Sequence, residues 1–285
     1  MAITYNNLYM DIRQELHRAG IQAATLEARE LVCFAAGKTR EQFVRDGRLY
    51  VPQDVEEQAR ALVHRHLAGE PLAYLIGEWE FYGLPLDISE QVLIPRSDTE
   101  VLAGEAIRWL QTQQDARVLD LCAGSGCVGL AVASQVHACR VVLGNICSID
   151  DRLVGQQIQA LYEFRFILAD ALEPPTRQLG EFDCIVCNPP YIPTQDIETL
   201  DVSVRDYEPH MALDGGEDGL EFYRAISENW REALHPGARL YFEVGIGQAD
   251  SVLRIMRRQG FGELEIVPDT AGIPRVVYGT LYNEI

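Results

Sequence analysis

The sequence predicts an α/β protein. A small N-terminal helical domain leads, through a β-hairpin connector, to a seven-stranded, mostly parallel sheet with an antiparallel C-terminal hairpin. Three observations carry this. Up to Gly69, apolar residues recur at helical spacing between capping signals. From Arg117 onward, short apolar runs alternate with helical stretches, as in a parallel sheet covered on both faces. The last two runs have no helix between them, which makes them an antiparallel pair at the sheet edge.

Each element has its own signal. Leu8, Ile12 and Leu16 form one apolar stripe, and Gly20 ends that helix. Thr25 opens a second helix through Leu31 and Phe34, with Gly37 as its stop. Thr39 with Gln42, and Asp54 with Glu57, read as capping boxes for a third and a fourth helix, the latter closed by Gly69. Tyr74–Gly77 and Glu78–Leu84 are aromatic, β-branched and glycine-punctuated, which suggests a hairpin reaching Leu93–Arg96. Ser97 with Glu100 is a further capping box, for a helix through Val101, Leu102 and Trp109. Strands are expected at 117–121, 139–144, 164–168, 182–187, 239–244, 264–267 and 276–281. Helices are expected at 126–134, 151–161, 219–234 and 249–259. The domains therefore read as 1–72, 73–95 for the connector, and 96–285.

Composition narrows the function classes. The 285 residues are 47% hydrophobic and 24% charged, ordinary for a globular chain with a sizeable core. No apolar run approaches the roughly 18 residues of a membrane helix. The N-terminus lacks a basic-then-apolar leader, so a cytoplasmic location is expected. A net charge of −19 argues against an extended nucleic-acid groove and is compatible with a basic protein partner. Seven scattered cysteines do not make a disulfide framework. Cys184 and Cys187 lie three apart on a strand, hence on opposite faces, which is poor geometry for one metal ion. His64 and His66, two apart on a helix, likewise diverge. No metal is expected.

Two stretches carry chemistry. In Asp120-Leu-Cys-Ala-Gly-Ser-Gly126 a strand ends in a glycine-rich turn that opens a helix, where backbone and free amides can approach a ligand. Gly124, Gly126 and Gly129 also match dinucleotide spacing, and a tight turn that binds nothing would use the same glycines. Asp120, four residues ahead, would repel a pyrophosphate and attract an ammonium. The second stretch is Asn188-Pro-Pro-Tyr191, directly after the fourth strand, at the sheet end where α/β folds bind ligands. Asn188 and the proline carbonyls offer acceptors without competing amide protons, and Tyr191 offers a ring to stack on a flat NH₂ group. Asn188 capping its own backbone in a proline turn is the plain alternative.

With these motifs on the page, the chain resembles the HemK/PrmC family of release factor glutamine methyltransferases, class I S-adenosylmethionine-dependent enzymes with a Rossmann-like fold. Gly69–Leu84 is similar to the family's connector, and Leu93–Glu100, Ala212–Leu220, Glu243–Gly245 and Ala271–Arg275 match further segments. Asn-Pro-Pro-Tyr alone is shared with adenine methyltransferases. The resemblance implies that Asp120, Cys122, Ala123, Gly124, Ser125 and Gly126 cradle the methionine end of S-adenosylmethionine, and that Asp170 and Ala171 contact adenine. It implies an acid after the second strand for the ribose, where this chain has Asn145, with Asp150 and Asp151 nearby. The family's usual Asn near the end of the following helix is also missing. Asn188 would contact both cofactor and substrate. Arg96 and Thr99 would close over the cofactor, and Phe81 would help line its pocket.

The implied reaction puts a methyl group on the glutamine side-chain nitrogen in the Gly-Gly-Gln loop of peptide chain release factors, with S-adenosylhomocysteine as product. Asn188, Pro189 and Tyr191 would be catalytic, and Pro190 would join them in binding substrate. The helical domain would hold the release factor, and the enzyme would act as a monomer. Two rivals remain: an enzyme methylating the exocyclic amine of adenine in nucleic acid, and a cofactor-binding protein without turnover.

Overall fold

A computed structural model describes residues 3–146 and 164–282. The helix expected at 151–161, with Cys147, Asp150 and Asp151, lies outside them. The chain forms two compact units, Met1–Glu78 with Asp201–Tyr207, and Trp79–Leu200 with Glu208–Ile285.

The first unit is helical. α1 (Tyr5–Arg18) is capped by Thr4, whose hydroxyl accepts from the Asn7 amide at 3.3 Å, and it fully buries Leu8, Ile12 and Leu16. α2 (Ala24–Ala36) ends on Gly37 in the left-handed region, as expected, but its N-cap is Ala23 and Thr25 caps nothing. The Thr39–Gln42 box of α3 (Arg40–Asp46) is present in both directions. The one expected at Asp54 is absent. α4 (Gln53–Leu67) starts after Pro52, whose preset φ orders the first turn without a side-chain cap. α5 (Leu72–Ile76) replaces the strand expected at Tyr74–Gly77 and stops at Gly77 with φ 73°. Short apolar runs are ambiguous between helix and strand, and here Pro71 and Gly77 punctuate a helical turn. Residues Asp201–Tyr207 join this unit because Gly69 leaves room: a Cβ there would lie 2.9 Å from Val202 Cγ1 and 3.5 Å from Tyr207 Cε2.

The second unit begins with β1 (Glu78–Phe81) and β2 (Leu84–Asp87), a two-stranded sheet turned at Tyr82–Gly83. Both turn residues have positive φ, 53° and 76°, the twist that suits a two-residue hairpin loop. α6 (Thr99–Leu110) follows. The Ser97–Glu100 box does not form, because the Glu100 carboxylate accepts from the Tyr82 amide at 2.9 Å instead.

The main sheet holds β3 (Ala116–Leu121), β4 (Cys139–Asn145), β5 (Phe164–Leu168), β6 (Phe182–Cys187), β7 (Leu234–Glu243), β8 (Phe261–Pro268) and β9 (Pro274–Leu281). Its order is β5-β4-β3-β6-β7-β9-β8, parallel up to β7 and antiparallel across β7–β9 and β9–β8. This is the expected Rossmann-like sheet with its C-terminal hairpin. The helix after residue 219 is shorter than expected: Glu221–Asn229 continues as a 3₁₀ turn at Trp230–Ala233 before β7. β3 and β6 are buried over nearly their whole length, as strands covered on both faces must be. From β3 the chain runs outward through β4 and β5, then returns to β6 on the other side of β3. The loops after β3 and β6 therefore part in opposite directions and open a crevice at the carboxyl ends of the strands.

Candidate functional site

Register places the two chemical motifs side by side. Leu121 pairs with Cys187 across the parallel β3–β6 ladder, so Cys122 and Asn188 are the next residues on adjacent strands. Adjacent strands lie about 4.8 Å apart. A cavity of about 420 Å³ opens there, within the second unit.

Glycine geometry shapes its floor. Cys122, Gly124 and Gly126 all have positive φ (62°, 55° and 77°), which turns the chain sharply from β3 into α7 (Cys127–Gln135). A Cβ on Gly124 would meet nothing within 4 Å, whereas one on Gly129 would lie 2.4 Å from Leu143 Cδ2. Gly124 thus keeps the cavity floor open, and Gly129 lets α7 settle onto the sheet. Asp120 lines the cavity but is only 2% exposed, and its Oδ2 accepts from the Gly129 amide at 2.7 Å. Burial pushes its carboxyl up to about 7, against that hydrogen bond. Asp120 therefore anchors the start of α7 as well as forming part of the wall.

Of the expected cofactor residues, Asp120, Cys122, Ala123, Gly124, Ser125, Asn145, Asp170, Ala171 and Asn188 all line this cavity; Gly126 instead sits behind it as the N-cap of α7. Asp170 Oδ1 accepts from the Leu172 amide at 2.9 Å, and Ala171 is held from behind where its carbonyl accepts from the Trp230 indole at 3.1 Å. Leu172 and Phe222 add apolar wall beside them. Arg96 and Thr99 also line the cavity, but Arg96 pairs with the buried Glu208 and Thr99 with Asn188. Phe81 is buried in the core at 2% exposure and does not reach the cavity.

The expected substrate residues divide. Asn188 and Pro190 line the cavity; Pro189 and Tyr191 do not. Asn188 Nδ2 donates to Thr99 Oγ1 at 3.3 Å, which turns the carbonyl side of the amide the other way. The Tyr191 ring lies beneath the turn rather than over it. Its hydroxyl donates to Glu243 Oε1 at 3.4 Å, and its Cδ2 is 3.1 Å from where a Gly245 Cβ would be. Burial raises the pKa of the Tyr191 phenol and lifts the Glu243 carboxyl to about 7.

Several residues that hold the turn were not singled out from the sequence. Ile192 exchanges backbone hydrogen bonds with Leu213 and Gly215. A Cβ on Gly215 would lie 2.7 Å from Tyr191 Cα, and one on Gly219 2.4 Å from the Tyr191 carbonyl, so both must be glycine. Gln248 Nε2 donates to the Tyr191 carbonyl at 2.8 Å and to that of Gly219 at 3.2 Å. Arg275 pairs with Asp98 at 2.8 Å and Asp269 at 3.0 Å, tying the segment before β9 to the start of α6. The glycine spacing in Asp214–Gly219 was the available signal. The rest depends on partners brought together only by folding.

The arrangement suits a ligand with a charged amine, a sugar and a flat base. Asp120, Asn145 and Asp170 bring carboxyl and amide groups to the lining, Ala171 and Leu172 bring apolar surface, and Asn188 brings its amide. Among the described residues, no three His, Cys, Asp or Glu side chains gather as a metal site.

Known proteins resemble the chain along most of its length. Residues 7–77 match the PrmC N-terminal domain, and residues 99–204 the methyltransferase small domain. A release factor glutamine methyltransferase of Geobacter sulfurreducens is 42% identical over 94% of this chain and 94% of its own. One of Caulobacter vibrioides is 33% identical over 98% and 97%. Among solved structures, the hMettl16 catalytic domain superposes with a TM-score of 0.52 at 16% identity, over 72% of this chain and 78% of that one, a likeness of fold alone.

Proposed function

The chain belongs to the release factor glutamine methyltransferase family, and we propose how its residues carry out that reaction. It is an S-adenosylmethionine-dependent enzyme that methylates the side-chain nitrogen of a glutamine in peptide chain release factors. The cavity suits the cofactor: Gly124 leaves space beside the turn, and the lining combines the polar Asp120, Asn145 and Asp170 with the apolar Ala171 and Leu172. Cys122–Gly126 with Asp120 would hold the methionine end, Asn145 the ribose, and Asp170 with Ala171 the adenine. When bound, the cofactor supplies an electrophilic methyl group on a sulfonium.

A carboxamide nitrogen is a poor nucleophile, because its lone pair is delocalised into the carbonyl. The protein's task is orientation. Asn188 accepts one N–H of the substrate amide through its side-chain oxygen. The Pro189 carbonyl accepts the other; it sits in the peptide joining Pro189 to the cavity-lining Pro190. Two acceptors on a rigid turn fix the nitrogen and exclude other approaches, and orientation of this kind saves on the order of 7–11 kcal/mol. Their dipoles also point at the group where positive charge arrives. Tyr191 supports the turn from below.

The glutamine of the Gly-Gly-Gln loop is the proposed target, the helical unit the proposed holder of the release factor, and a cytoplasmic monomer the proposed form. The single observation that carries the mechanism is Asn188 beside Cys122, with its amide nitrogen bonded to Thr99. Mass spectrometry of a release-factor peptide incubated with S-adenosylmethionine tests it, with an adenine-containing DNA as the second arm. Expected is one methyl on the glutamine, none on the DNA, and loss of at least about 100-fold in rate for Asn188→Ala with cofactor binding mostly intact. A parental rate in Asn188→Ala would refute the role.

A further inference from the structure

Methyl transfer as described gives no task to the guanidinium in the cavity. Arg96 is the one lysine or arginine among the described residues that line it. Its Nη2 donates to Glu208 Oε1, in a pair whose acid side chain is 1% exposed and whose arginine is 39% exposed. The pair is one-toothed. Glu208 Oε2 is buried without a hydrogen-bond partner, and the other N–H groups of Arg96 have none among the described residues. The place of Arg96 is set from two sides. Its carbonyl accepts from the Thr99 amide at 3.1 Å, and Thr99 Oγ1 accepts from Asn188 Nδ2 at 3.3 Å. After Glu208, the residues Pro209, His210, Met211 and Ala212 line the cavity, and this segment ends where Ile192 bonds to Leu213 and Gly215. Arg96 is thus joined to the Asn188 turn through Thr99, and to a wall of the cavity through Glu208.

We propose that Arg96 is a substrate-binding residue, held by the buried Glu208 so that its free N–H groups take main-chain carbonyl oxygens of the polypeptide beside the reacting glutamine. The proposal rests on the reading of Asn188 given above. A glutamine whose side-chain nitrogen is held at Asn188 has its main chain a side chain's length farther out, which is within the reach of Arg96. A guanidinium is a flat fork of five N–H donors with no acceptor, so one arm can be anchored while the rest bind. The Glu208 oxygen accepts whether its carboxyl is ionised or not, so the anchor does not depend on its charge. A pair built for stability alone would close as a two-toothed fork, and an apolar pair would avoid the cost of burying an acid. The orphaned Glu208 oxygen is explained if the second arm is kept for a ligand. The partner is a neutral acceptor, because Asp170, Asp214 and Glu221 in the same lining disfavour a further anion. Glycines beside the glutamine, which lack side chains, leave their carbonyls open to such a fork.

Steady-state kinetics on a Gly-Gly-Gln peptide, calorimetry with S-adenosylmethionine and thermal melts test this in Arg96→Lys and in the Arg96→Met/Glu208→Leu double variant, which leaves no acid buried alone. The double variant is expected to raise KM for the peptide on the order of 10- to 100-fold, with kcat, cofactor affinity and melting temperature near parental. Arg96→Lys keeps a cation for Glu208 but loses the fork, and raises KM as well. Two further peptides carry an ester in place of the peptide bond on one or the other side of the glutamine. An ester carbonyl is the weaker acceptor, so at least one ester raises KM for the parental enzyme and not for the double variant; a lost N–H contact would weaken both enzymes alike. Parental KM in both variants overturns the proposal. So do esters that act equally on both enzymes, and so does a loss of cofactor affinity at unchanged KM, which assigns Arg96 to the cofactor. A parental rate in Asn188→Ala overturns the reading of Asn188, and this proposal with it.

Discussion

Asn145 ends β4 and lines the cavity with a neutral acceptor where the family resemblance implies an acid. A hydrogen bond to a charged acceptor is stronger than one to a neutral acceptor by about 1 kcal/mol, roughly fivefold in affinity. Asn145→Asp is therefore expected to tighten S-adenosylmethionine binding about fivefold by calorimetry; unchanged or weaker binding would show that this position does not meet the ribose. At this scale the sequence was legible where a signal is local. The Thr39–Gln42 box forms because both partners sit on one turn. Ser97–Glu100 fails because Tyr82, 18 residues away, takes the Glu100 carboxylate. Tyr191 illustrates the same limit: an aromatic after a double proline serves equally as a stacking face or a core prop, and Glu243, far along the chain, decides for the prop.

Elements were more legible than their side-chain roles. A strand covered on both faces reads as a nearly continuous apolar run, which is why β6 falls at the expected residues. The β3–β6 register that brings Asn188 beside Cys122 is not local, but the rule for ligands at strand carboxyl ends recovers its consequence. In the helical unit, α2 and α4 are tied by a histidine that helical spacing only marks as divergent from His64. His66 Nε2 meets Glu27 at 2.9 Å, and Nδ1 meets the Glu70 carbonyl at 2.8 Å. Burial lowers the His66 pKa, but the Glu27 and Glu70 bonds outweigh it and leave the value raised. A raised histidine stabilises the fold fully below the unfolded value of about 6.5, and that contribution is lost as pH rises through the folded value. His66→Gln should therefore lower the melting temperature most near about pH 6 and least near about pH 9. A penalty that grows with pH would contradict the pairing.

For the whole molecule, a charge of −19 governs what can approach. Proteins held on phosphate backbones carry the opposite sign, with non-specific Kd values of about 10⁻⁴–10⁻⁶ M. Fluorescence anisotropy with a labelled DNA or RNA duplex at physiological salt is expected to show no saturable binding; micromolar affinity would bring the adenine-methylating reading back. Among the described residues, no helix is long and apolar enough to cross a membrane. The two units were only partly legible, since nothing local in Asp201–Tyr207 says that it packs where Gly69 leaves room. That excursion has a consequence for biosynthesis. The helical unit leaves the ribosome first, yet its last piece emerges some 120 residues later, a wait of roughly 6–25 s at ordinary rates of synthesis. An enzyme that modifies the machinery of translation termination thus completes its own first unit only after much of its sheet has been translated.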